Sequence, residues 1–272
     1  MTLTAPKWSP NRRLQAASEN RPSMKPGEPD RAAVKLLQEV LIASGFAIPS
    51  GPTGNYLAET ASAVRAVQVR FKLTLDNGIA GREVLGALDA LLKGQQPPIT
   101  PKGAADDAKP LALKWVTSAL FAIQSRIIEL QVQGLQINPF VRQLNVHFHL
   151  DRSAAGRELA NLQALAANYT RIHANLLTSD RIFRSVDDAT ATRDTLGLFG
   201  PGVLMGAYTF TGVSVNFTSQ YPGLGRNAQA AVMVHEMGHF ISPSIGHVGG
   251  ESGPAYDNSN FTTAIHNAHC YS

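Results

Sequence analysis

Cysteine is nearly missing from this chain. Cys270 is the single one in 272 residues, which excludes an intramolecular disulfide and a cysteine-based zinc cluster. Charge is thin as well, at 16% Asp, Glu, Lys and Arg, with a net charge of +4. The positive excess is spread along the sequence and forms no basic run interleaved with aromatics, so no nucleic-acid partner is expected. No stretch reaches the ~18–20 apolar residues of a membrane span, and none is expected. The first residues carry Pro, Ser, Asn and charge without an apolar core, so they do not read as a signal peptide. Residues 1–29 are expected to be a disordered leader. What is present is 44% hydrophobic residues, the composition of a globular chain long enough for two domains.

Punctuation divides the rest. Lys93–Pro110, KGQQPPITPKGAADDAKP, is rich in proline and predicts a linker. It separates a first domain, 30–92, from a second, 111–272. In the first domain Ala33–Gly45 predicts a helix with Val34, Leu37 and Leu41 on one stripe and Gly45 at its end. A turn leads to Ala61–Phe71, with Val64, Val67, Gln68 and Phe71 spaced for burial. Asp76-Asn77-Gly78 then precedes a third helix, Glu83–Leu92. The expectation is a small three-helix bundle.

The residues Val34, Leu37, Gln38, Leu41, Gly45 and Phe46, then Gly54, Tyr56, Glu59 or Thr60, Ala63, Val64, Val67, Gln68 and Phe71, then Leu73, Asp76, Gly78, Gly81, Val84 and Leu88 resemble the peptidoglycan-binding domain of bacterial wall hydrolases. The first turn departs from that pattern, with Pro52-Thr53-Gly54-Asn55 where Asp-Gly is usual. Asn77 between Asp76 and Gly78 is a second departure. The resemblance implies peptidoglycan as a partner, bound through residues 30–92, and a location in the cell envelope or outside the cell.

In the second domain Leu111–Gln133 has helical spacing at Leu113, Val116, Leu120, Ile123, Ile127 and Leu130. Leu144–Leu150 alternates and predicts a strand, with His147 and His149 on the face opposite Leu144, Val146, Phe148 and Leu150. Arg157–Leu177 predicts a helix, and Gly206–Thr218 a strand or bent hairpin. Ala231–Phe240, AVMVHEMGHF, holds the pattern HExxH. On a helix, His235 and His239 project from one face a turn apart, where two imidazoles can grip zinc, and Glu236 can serve as general base toward water. Asn227 is a plausible N-cap, and Val232 shares the histidine face.

Such a zinc site needs a third protein ligand and an open position. The candidates after His239 are His247, Glu251 and Asp257, with Glu251 preferred for its carboxylate and its loop distance. HExxH, Gly250, Tyr256 and the tail Asn267-Ala268-His269-Cys270-Tyr271 resemble the aspzincins, the deuterolysin and peptidyl-Lys metalloendopeptidase group. Gly253 stands where that family has an aspartate ligand, and His269 where its tail motif has aspartate. The resemblance implies zinc bound by His235, His239 and one of these loop groups. It also implies Tyr256 donating to the oxyanion of the transition state, and the strand before the helix receiving extended substrate.

The expected fold is α+β: a small N-terminal three-helix bundle and a mainly helical zincin-like domain with a small β-sheet. The expected activity is a zinc-dependent metalloendopeptidase cutting a peptide or protein substrate near the cell wall. Two alternatives stay open, a non-catalytic wall-binding protein with a degenerate metal site and a secreted toxin-like effector protease.

Overall fold

The computed structural model describes residues 2–132, 148, 150, 155–199, 206–245 and 268–271. It divides into two compact units, Met1–Gly103 and Ala104–Ser272. Among the described residues helices dominate and three short strands form one sheet, an α+β arrangement.

Unit 1 contains four helices: α1 (Arg12–Ser18), α2 (Arg31–Ala43), α3 (Ala58–Arg70) and α4 (Arg82–Leu92). The last three are those expected from the apolar spacing. Val34, Leu37, Leu41, Val64, Val67, Val84 and Leu88 are all buried in one core. Asp30 caps α2 by accepting from the Ala33 N–H at 2.9 Å, as a short acidic side chain does at a helix start.

Two buried glutamines hold the turns between these helices. Gln38 Nε2 donates to Asn55 O at 2.9 Å and to Thr60 Oγ1 at 2.7 Å, while its Oε1 accepts from the Gly54 N–H at 2.8 Å. Gln68 donates to Asp76 and to Ile79 O, and Tyr56 donates to Gly78 O at 2.7 Å. Gly78 has φ +78°, and a Cβ there would lie 2.3 Å from Ala61 O. No other residue fits. Asn77, beside it, has φ +61°, a left-handed conformation that asparagine tolerates. Of the residues that departed from or matched the wall-binding pattern, Gly54, Asn77 and Gly78 therefore shape the turns, with Gln38, Tyr56 and Gln68 bonded to those turns, while the apolar ones fill the core.

Residues 2–29 correct the expectation that residues 1–29 are a disordered leader. Leu3, Ala5, Trp8, Leu14, Ala17 and Met24 are buried in the core of unit 1, and Met24 bridges to Ala80. The anchor is Asp89. Its Oδ1 accepts from Trp8 Nε1 at 2.9 Å, Ala5 N at 2.8 Å and Thr4 N at 3.0 Å, and its Oδ2 pairs with Lys93 Nζ at 2.9 Å. Sequence periodicity misses this because the segment is tied by single anchoring residues rather than by a repeating stripe.

The expected linker is also shorter than 93–110. α5 spans Pro101–Val132, and the division between units falls inside it. Pro101 sits at the first helical position, where its missing N–H costs nothing. Pro110 lies within the helix, so proline content there marked no break. Among the described residues α5 is the one helix long and apolar enough to cross a membrane by length and composition, a length the sequence reading did not anticipate. Its Ala112, Val116 and Ile123 are nonetheless buried in the core of unit 2.

Unit 2 continues with α6 (Ala155–Leu177), β1 (Phe183–Ser185), α7 (Asp188–Phe199), β2 (Ala207–Phe210), β3 (Ser214–Phe217) and α8 (Arg226–Ile241). The strand order is β1-β3-β2, with β1 parallel and β2 antiparallel to β3. Gly206–Thr218 is thus the bent hairpin of the two readings offered for it, and β2 is an edge among the described strands. Fully buried Arg126 of α5 pairs with fully buried Glu158 of α6 at 3.1 Å. Of the strand expected at Leu144–Leu150, only Phe148 and Leu150 belong to the described residues; both are buried, and Phe148 has helical geometry.

Burial alone would raise the Asp89 carboxyl, but the bonds from Trp8, Ala5, Lys93 and Thr4 outweigh it and hold the group at about 2. A carboxyl lowered by folding stabilises the native state above its unfolded value of 3.8, and that stability is lost as pH falls toward 2. The loss is of order 2 kcal/mol. In a Trp115→Phe background, Trp8 fluorescence is expected to report unfolding of unit 1 at lower denaturant as pH falls from 4 to 2. Asp89→Asn is expected to be less stable at neutral pH and to lack most of that acid dependence.

Candidate metal centre

The HExxH segment lies on α8, as its spacing predicts. The helix begins at Arg226 with Gly225 as N-cap, so Asn227 falls inside it and does not cap it. Without a capping side chain, the first turn is fixed by Gln229 and Tyr221. Tyr221 Oη donates to Gln229 O at 2.7 Å, and Gln229 Nε2 donates to Tyr221 O at 3.1 Å. Met233, Val234 and Met237 pack the helix into the core.

The other end is held more elaborately. The Gly212 N–H of the β2–β3 turn donates to Phe240 O at 3.0 Å. Arg171 of α6 donates to Ile241 O. Terminal carbonyls have no partner within their own helix, and a guanidinium there also meets the negative end of the helix dipole. Ala268 and Tyr271 of the tail lie against Gly238, at 3.9 and 3.8 Å from the position a Cβ would take. Tyr271 Oη accepts from Asn168 Nδ2 at 2.6 Å.

His235 and His239 face each other, with their Nε2 atoms 3.3 Å apart. His239 Nδ1 lies 2.7 Å from Ile245 O. A carbonyl oxygen only accepts, so Nδ1 carries a proton, and in the neutral ring Nε2 then keeps its lone pair. That is the tautomer a metal requires, fixed by a main-chain partner as in many metal sites. Two nitrogens at ~2.0–2.1 Å from zinc, at a tetrahedral angle, stand about 3.3–3.4 Å apart. The pair therefore has the spacing of one edge of a zinc tetrahedron, while it is long for a hydrogen bond, whose usual length is about 2.9–3.0 Å. The residues present fit the ion.

Glu236 points to the other side, toward the sheet. It is 4% exposed, and its Oε2 accepts from Thr209 Oγ1 of β2 at 2.7 Å. Burial pushes its carboxyl up to about 7, offset in part by the Thr209 hydroxyl. A carboxyl poised near neutrality can take and return a proton. Thr209 and Arg171 escaped the sequence reading. A threonine in a strand is explained by its β-branch alone, and an arginine on a helix by solvation, so neither carries a local signal.

Among the described residues no third His, Cys, Asp or Glu joins the histidine pair. His247, Glu251, Tyr256 and Asp257, together with His147 and His149, lie outside the described residues.

Thr209→Val removes the hydroxyl that favours the ionised carboxylate. The carboxyl of Glu236 is expected to titrate at higher pH, moving the acid limb of any hydrolytic pH profile upward. Thr209→Ser is expected to leave that limb in place. An unchanged profile in the valine variant would show that the bond does not tune Glu236.

No curated protein and no solved structure matches the chain. Residues 30–88, covering α2, α3 and most of α4, match the peptidoglycan-binding domain family. The match gives unit 1 a cell-wall association, and it does not reach unit 2.

Proposed function

We propose that the chain is a zinc-dependent metalloendopeptidase that hydrolyses peptide bonds at or near the bacterial cell wall, held there by unit 1. One observation carries the reading: two imidazole Nε2 atoms 3.3 Å apart on a buried helix, flanked by a buried glutamate whose carboxyl is raised toward neutrality. His235 and His239 would hold the ion, with Glu251 as the third ligand and Asp257 or His247 as the alternatives. Zinc would supply Lewis acidity, polarising the scissile carbonyl and making water more acidic.

The chain's own groups divide the remaining work. Glu236 takes the proton of the attacking water at its carboxylate and returns it to the leaving amine. Thr209 holds that carboxylate in one orientation. Ile245 O fixes the tautomer of His239, and Arg171 with Gly212 fixes the end of the helix that carries it. Tyr256 is the proposed donor to the developing oxyanion. Binding to the wall polymer raises the effective concentration of the site near its substrate.

Elemental analysis of the purified chain is expected to give one zinc, lost in His235→Ala and in one of Glu251→Ala, Asp257→Ala or His247→Ala. Glu236→Gln is expected to keep its zinc and lose activity on wall peptides or proteins by roughly 10²–10⁴-fold. His235→Ala is expected to sediment with purified peptidoglycan as the wild type does, separating wall binding from metal binding. A wild-type chain that takes up no zinc when offered excess metal would overturn the reading.

A further inference from the structure

A cavity of about 540 Å³ opens on unit 2 beside the histidine helix. Trp115 and Ala119 of α5, Tyr169 of α6, Asn227, Ala228 and Ala231 of α8, and Tyr271 of the tail are among the residues that line it. Its volume is within the ~300–1,000 Å³ of ligand sites. No charged side chain is among the lining residues. Tyr169 and Tyr271 in its lining are buried and packed ring to ring at 5.3 Å, and the Tyr271 hydroxyl accepts a hydrogen bond from Asn168. Three small alanines leave the space that larger residues would fill.

Its place on α8 matters most. Ala231 and Ala228 precede His235 by four and seven residues, so they continue the histidine stripe toward the helix start. The cavity therefore begins about one helical turn, ~5.4 Å, from the imidazoles. Glu236 and Thr209 lie on the opposite flank of that stripe, toward β2. A peptide crossing the histidine pair would have the general base on one side and this cavity on the other.

We propose that the cavity is a substrate subsite that receives a large apolar or aromatic side chain close to the scissile bond. This rests on the hydrolase reading above and adds the substrate class. Aromatic walls and the absence of charge favour a ring or branched aliphatic group and disfavour an acidic or basic one, which would be desolvated without a partner.

The chain has two tryptophans, Trp8 and Trp115, one buried in unit 1 and one in the cavity wall. Full-length protein labelled with 5-fluorotryptophan gives one fluorine resonance for each, with Trp115→Phe assigning them. N-acetyl-phenylalanine amide is expected to shift the Trp115 resonance saturably and to leave Trp8 unmoved, with N-acetyl-aspartate amide at least ten-fold weaker. Ala231→Phe fills the cavity and is expected to abolish the shift, with zinc content equal to wild type. Ala228→Phe serves as a second filled variant should the first fail to fold. Peptides with a large apolar side chain are expected to lose at least ten-fold in kcat/KM in the filled variants.

No Trp115 shift in zinc-loaded protein, or equal shifts with both amides, would overturn the subsite while leaving the metal reading intact. A normal shift in protein that binds no zinc would overturn both the hydrolase reading and the assignment of the cavity to its substrate.

Discussion

The packing of unit 2 around α8 depends on one buried carboxyl group, Glu236, carried beside two imidazoles on a helix whose core-facing side is buried. Glu236 is hidden from water, and a buried carboxyl without partners is unstable as an anion. The fold answers with the Thr209 hydroxyl of β2. That single bond requires the hairpin to lie against α8, and the sheet order β1-β3-β2 puts β2 at the edge where this is possible. The same hairpin returns through Gly212 to cap Phe240. One short sheet thus orients the Glu236 carboxyl and closes the end of its helix.

The two ends of α8 are treated differently, and the difference follows the chemistry. The start lacks a capping side chain and is steadied by Tyr221 and Gln229. The finish, where His239 sits, is held by Gly212, by Arg171 and by Ile245 O on the imidazole itself. In the proposed zinc site His239 would have to be held to within a fraction of an ångström and in a defined tautomer, which needs support from its surroundings as well as its own helix.

Unit 1 solves a different problem. A bundle of about sixty residues is only marginally stable by itself. Here the segment before Asp30 adds Trp8, Leu14 and Met24 to its core, with Asp89 gathering the tryptophan and two backbone amides. Gln38 and Gln68 then tie helices to glycine turns. Much of this was legible: helical stripes, turn glycines and HExxH are local patterns, and each fell where its spacing put it. The N-terminal segment was not, since Trp8 and Met24 follow no period and their partners lie far along the chain. Pro110 misled for the complementary reason. A proline lowers the chance of a helix locally, whereas the burial of Ala112, Val116 and Ile123 decides it globally. At the site, His235, Glu236 and His239 were readable from spacing, while Thr209 and Arg171 act only through the fold.

In the proposed site His235 and His239 share one zinc ion. Zinc-edge X-ray absorption of the full-length, zinc-loaded chain measures that directly. Two imidazole nitrogens at ~2.0–2.1 Å are expected, with the remaining scattering from oxygen, or a third imidazole if His247 is the ligand. A zinc environment without imidazole, or one that survives His239→Ala unchanged, would contradict that site.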